Sequence, residues 1–73
     1  MVTINFTYGK KSVSLKSEKI FVTFETRSLT LYFGTKEEAK NASAELGKLS
    51  IKTINYGKYI LALPQYNTNI NIL

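Results

Sequence analysis

Val2, Ile4, Phe6 and Tyr8 alternate without a break with Thr3, Asn5 and Thr7, and Gly9-Lys10 follows directly. A period of two puts successive side chains on opposite faces, so this stretch reads as a half-buried strand. Glycine at the first central position suits a type II′ two-residue turn, whose twist matches that of paired strands. Closing the chain there sets Tyr8 opposite Lys11, Phe6 opposite Val13, Ile4 opposite Leu15 and Val2 opposite Ser17. The apolar side chains of both strands then share one face, and Thr3, Asn5, Thr7, Ser12, Ser14 and Lys16 share the other. A slip of one residue would put polar groups in the core, so the pattern itself argues the register.

A second hairpin is expected across Lys19 to Gly34. With Thr26-Arg27 as its loop, Phe24 faces Leu29, Val22 faces Leu31 and Ile20 faces Phe33. The other face pairs Phe21 with Tyr32, Thr23 with Thr30 and Glu25 with Ser28. Thr-Arg is poor chemistry for a primed turn, which asks for positive φ at both positions, so a four-residue loop is the alternative. The helix comes next, about Lys36 to Leu49. Thr35-Lys36-Glu37-Glu38 has the form of a capping box, and both glutamates suit the positive end of the helix dipole. Ala39, Ala42, Leu46 and Leu49 form a narrow apolar stripe, and Gly47 is placed to help end the helix early.

Ile51 to Asn55, a Tyr56-Gly57 turn and the run Tyr59-Ile60-Leu61-Ala62-Leu63 complete the ordered part. The run is apolar on both faces, as in a central or doubly covered strand. Two hairpin tips, Tyr8-Gly9-Lys10 and Tyr56-Gly57-Lys58, each present a tyrosine and a lysine. The expected fold is α+β: a small, mainly antiparallel sheet built on two N-terminal hairpins, one helix on one face, order ββββα followed by one or two strands. Residues 1–64 make a single domain, and 65–73 a C-terminal tail that is an edge strand or partly disordered.

The chain has 73 residues, of which 44% are apolar and 21% charged, a composition that folds. It has no His, Cys or Asp, and its acids are Glu18, Glu25, Glu37, Glu38 and Glu45. That removes the imidazole base, the thiolate nucleophile and the soft metal ligands. Glu37 and Glu38 are neighbours on a helix, about 100° apart, and cannot converge as an acid–base pair. No Gly-rich phosphate loop is present. A domain of this size is also expected to lack room for a ligand pocket of about 300–1,000 Å³. The expectation is a non-enzyme with no cofactor and no metal. No basic, apolar leader opens the chain and no stretch approaches the roughly 20 apolar residues of a membrane span, which points to the cytoplasm. Without disulfides, so small a core gains from dimerisation, and a homodimer is expected. Abundant Asn, Ile, Lys and Tyr would suit an AT-rich genome such as that of a phage or mobile element.

The positive signal is basic residues interleaved with aromatics at a net charge of +5. Lys10, Lys11, Lys16, Lys19 and Arg27 lie in the hairpin half, where only Glu18 and Glu25 oppose them. Phe21 and Tyr32 place rings on a face otherwise made of Thr and Ser, with Glu25 at its end. Exposed rings on a basic sheet are what stacking of single-stranded bases requires, with lysines on the phosphates. These seven residues form the candidate nucleic-acid site. The competing readings of Phe21 and Tyr32 are a second core layer, packing beneath the tail, or an oligomer contact. The alternative function is a protein-binding or inhibitory factor using Tyr8, Phe21, Tyr32, Tyr56 and Tyr59, or a structural homo-oligomer.

Four strands followed by a helix resembles the order of elements in the positive-cofactor and PUR-repeat binders of single-stranded nucleic acid. That resemblance implies a curved antiparallel sheet and dimerisation. The stretch from Leu29 to Leu63 holds a strand, the Phe33-Gly34-Thr35 turn, a helix with Ala39 and Leu46, and a following strand. It looks like half of a SPOR peptidoglycan-binding domain.

Overall fold

The computed structural model describes all 73 residues. Seven strands and one helix follow in the order β1 (Val2–Tyr8), β2 (Lys11–Ser17), β3 (Lys19–Thr23), β4 (Ser28–Tyr32), α1 (Lys36–Gly47), β5 (Lys52–Tyr56), β6 (Tyr59–Leu63) and β7 (Asn69–Ile72). The fold is α+β as expected, but the strands divide between two antiparallel sheets, β2-β1-β7 and β3-β4-β6-β5. The single sheet implied by element order is therefore corrected. The first two hairpins belong to different sheets, and three strands follow the helix.

The first hairpin has the expected register, from Val2↔Ser17 to Tyr8↔Lys11. Gly9 sits at φ 63 and Lys10 keeps a negative φ, the pattern of a type II′ turn. Gly57 repeats it at φ 76, so the loop is Gly57-Lys58, with Tyr56 opposite Tyr59.

The second hairpin is shifted by two residues from the expected register. Ile20 pairs with Leu31, Phe21 with Thr30, Val22 with Leu29 and Lys19 with Tyr32. Residues 24–27 form a four-residue loop in which the Arg27 amide donates to the Phe24 carbonyl at 3.3 Å. Only Arg27 there takes positive φ, at 56, so the strain of a primed Thr26-Arg27 turn is avoided. Phe24 and Glu25 leave the strand for this loop, and Phe24 is exposed. A shift of two preserves which residues share a face.

Thr35 caps the helix, its hydroxyl accepting from the Glu38 amide at 3.1 Å. The other half of the expected box differs: the Glu38 carboxylate accepts from the Thr35 hydroxyl at 3.3 Å instead of reaching the backbone. The helix stops at Gly47, before Leu49. The Ile51 amide then donates to the Leu46 carbonyl and the Ser50 amide to that of Gly47. Those two bonds define a Schellman motif, with Ser50 in the left-handed position at φ 59.

The core gathers Ile4, Phe6 and Leu15 from the first hairpin, Leu29, Leu31, Ile60 and Ala62 from the second sheet, and Ala39, Ala42 and Leu46 from the helix. Phe33, Leu49 and Ile51 close its ends. The helix lies against β5, β6 and β2, so helix and first sheet together cover one face of β3-β4-β6-β5. Ser17 fixes the corner where the chain passes between sheets. Its fully buried hydroxyl lies 2.7 Å from the carbonyls of both Lys19 and Tyr32, and the Glu18 amide donates to the same Tyr32 carbonyl. The C-terminal segment is the edge strand β7, paired with β1 from Ile4↔Ile72 to Thr7↔Asn69.

Candidate nucleic-acid interface

Directly paired residues of an antiparallel ladder share a face, so the registers define what each sheet shows to solvent. In β2-β1-β7 the outer face holds Thr3, Asn5, Thr7, Ser12, Ser14, Lys16, Asn69 and Asn71, and is polar throughout. The outer face of β3-β4-β6-β5 is different. One row across it reads Lys19, Tyr32, Tyr59, Tyr56, and the next Phe21, Thr30, Leu61, Ile54. Lys52 stands opposite Leu63 in a third row. No residue in these rows is acidic.

The tyrosines form a column. Tyr32 and Tyr59 have ring centroids 5.0 Å apart and planes 26° apart, and Tyr59 and Tyr56 are 5.2 Å and 16° apart. Phe21 meets Tyr32 edge to face at 5.7 Å and 80°. These are the offset and T-shaped arrangements that ring quadrupoles favour. Phe21 is 56% exposed and Tyr56 48%, so the two ends of the aromatic group are its open parts. None of the three tyrosine hydroxyls bonds within the chain, which leaves them as donors and acceptors toward solvent.

A cation flanks the column at its Tyr32 end. Lys19 Nζ lies 6.0 Å from the Tyr32 centroid, at the margin of a cation–π contact. Lys58 occupies the β5–β6 turn that joins Tyr56 to Tyr59, and a Cβ on Gly57 beside it would come 4.0 Å from Cε of Lys36 at the start of the helix. The one ion pair in the protein, Lys48–Glu45, lies on the helix, so these lysines are unpaired.

Phe21 and Tyr32 thus come together as expected, although as diagonal neighbours and not as a direct pair. Of the five basic residues read from the sequence, the structure brings only Lys19 to them. Lys10 tips the other sheet. Lys11 and Lys16 border shallow grooves between β2 and the helix, near Lys48 and Glu45. Arg27 stacks on Tyr66 at 4.3 Å and donates to its carbonyl at 3.0 Å. Glu25, expected on the face of Phe21, stands in the β3–β4 loop. Tyr56 and Tyr59 join the row, while Tyr8 of the same alternative set packs against the core from the first sheet.

The expectation that so small a domain has no room for a pocket is corrected. A cleft of 510 Å³ opens between the sheets, lined by Val22, Leu29, Ile70 and Ile72 together with Arg27. The Thr68 hydroxyl is buried beside it without a partner.

Comparison with protein-family models, curated proteins and solved structures finds no match to this chain. No helix is long and apolar enough to cross a membrane.

Proposed function

We propose that this chain is a non-enzymatic binding protein for single-stranded nucleic acid, and that its contact surface is the outer face of β3-β4-β6-β5. The observation that carries the reading is an acid-free sheet face whose aromatic group ends in exposed rings, with the unpaired Lys19 beside Tyr32. Bases would extend the column at Tyr56 and stack on Phe21, each such contact contributing about 1–3 kcal/mol. Lys19 and Lys52 on this face and Lys58 in the adjoining turn would take phosphates, while the free tyrosine hydroxyls reach base edges or sugars. Duplex bases offer no open ring faces, so a single strand is preferred. A cytoplasmic setting goes with this reading.

One feature favours the second reading, a protein partner. The tyrosines occupy one another's faces, so Tyr59 at the centre has no free face for a base, and a row of packed rings suits a protein hot spot. Fluorescence polarisation with single- and double-stranded oligonucleotides at about 50 mM salt separates the two, because the electrostatic term is strong there. Preference for the single strand supports the proposal. Absence of binding to either overturns it.

A further inference from the structure

Each of the other sheet edges carries a lysine: Lys11 and Lys16 on β2, Lys19 on β3, Lys52 on β5. Such charges protect an open edge from pairing with another chain. The outer strand β7, Asn69–Ile72, has no charge and no proline, and all four of its residues are exposed. Its apolar side chains, Ile70 and Ile72, line the cleft between the sheets together with exposed Val22 and Phe24.

The hydrogen bonding of β7 says which backbone groups are free. Leu73 donates to the Thr3 carbonyl at 2.8 Å, so residues 69, 71 and 73 turn their backbone groups toward β1. Ile70 and Ile72 therefore turn theirs outward. We infer that this edge pairs with β7 of a second copy, antiparallel and two-fold symmetric about Asn71. That register sets Ile70 opposite Ile72 of the second copy and joins all the free groups in complementary pairs. It also continues the apolar inner face from one copy to the other, and yields one six-stranded sheet. Centring on Ile70 would call on the Thr68 amide, which already donates to Gln65 at 3.0 Å. Centring between residues would set Ile against Asn on each face. The sequence Asn-Ile-Asn-Ile is thus complementary to itself in one register. The surface lies on the other sheet from the tyrosine column, so it stands whether or not the column binds nucleic acid.

The test uses light scattering after size exclusion, with cysteine cross-linking. The full chain should run at about twice its 8.3 kDa mass at high micromolar concentration. Ile72→Pro removes an amide that points away from β1, so it should give a folded monomer by circular dichroism. The chain has no cysteine, so Asn71→Cys introduces a single thiol. Across a two-fold, non-hydrogen-bonded pair the Cα atoms lie about 4.5 Å apart, within disulfide reach, and oxidation should yield a covalent dimer. Asn69→Cys, opposite Leu73 of the second copy, should not cross-link. A monomeric wild-type chain overturns the inference, as does a dimer that cross-links at position 69 as well as at 71. Should Ile72→Pro fail to fold, the cysteine pair decides alone.

Discussion

Tyr32 and Tyr59 stack across the β4–β6 ladder, although the helix and the strand β5 separate them in the chain. Their contact joins the aromatic end of the second hairpin to that of the third, and so turns two local pairs into one surface. Removing the central ring should break that continuity. Tyr59→Ala is expected to weaken oligonucleotide binding more than Tyr59→Phe, which keeps the stacking and loses only the hydroxyl. Equal losses in a binding titration would show that the hydroxyl, and not the column, makes the contact.

Phosphate and stacking contacts should separate by salt. Lys19→Ala is expected to flatten the slope of log K against log salt by about 0.7, since one fewer counterion set is released from a single strand. Phe21→Ala should cost about 1–3 kcal/mol with the slope nearly unchanged. Titrations at several salt concentrations check both. Lys16→Ala, beside the helix, should change neither.

Core packing is tested at Leu46, which is fully buried where helix, first hairpin and second sheet meet. Leu46→Ala should cost about 2–5 kcal/mol in urea unfolding, by lost burial and a residual cavity. A loss below that range would mean that the three layers close around the gap.

Ser50 offers a gain. Its φ of 59 is the left-handed region, where a side chain is strained and glycine is usual at a helix end. Ser50→Gly should raise stability by about 1 kcal/mol. Thr35→Ala, at the opposite end, should lower it by about 0.5–2 kcal/mol through the lost cap. Thermal and urea unfolding of the two variants should move in opposite directions.

The local parts of this fold were legible because local rules decide them. Gly9 and an unbroken alternation define the first hairpin, and Thr35 with Glu38 places the helix start. The second hairpin slipped by two because Thr26-Arg27 carries no firm turn signal, yet Phe21 and Tyr32 kept their shared face. The division into two sheets was not legible. It depends on β1 pairing with β7 and β4 with β6, contacts between distant segments that no short-range pattern encodes. For the same reason the site was read half complete. A turn read as Tyr56-Gly57 takes Tyr56 out of its strand, whereas the actual Gly57-Lys58 turn sets it against Tyr59, and only the β4–β6 ladder brings that pair to Tyr32. It also leaves Lys10, Lys11 and Lys16 away from the rings.

Nuclear magnetic resonance of the labelled protein, titrated with a single-stranded oligothymidine, tests the central claim most directly. Amide shifts are expected to concentrate at Lys19, Phe21, Tyr32, Tyr56 and Tyr59, with Thr3, Asn5 and Thr7 on the polar sheet face unmoved. Shifts confined to the Lys10-Lys11 turn and the helix, or no shifts at all, would contradict it.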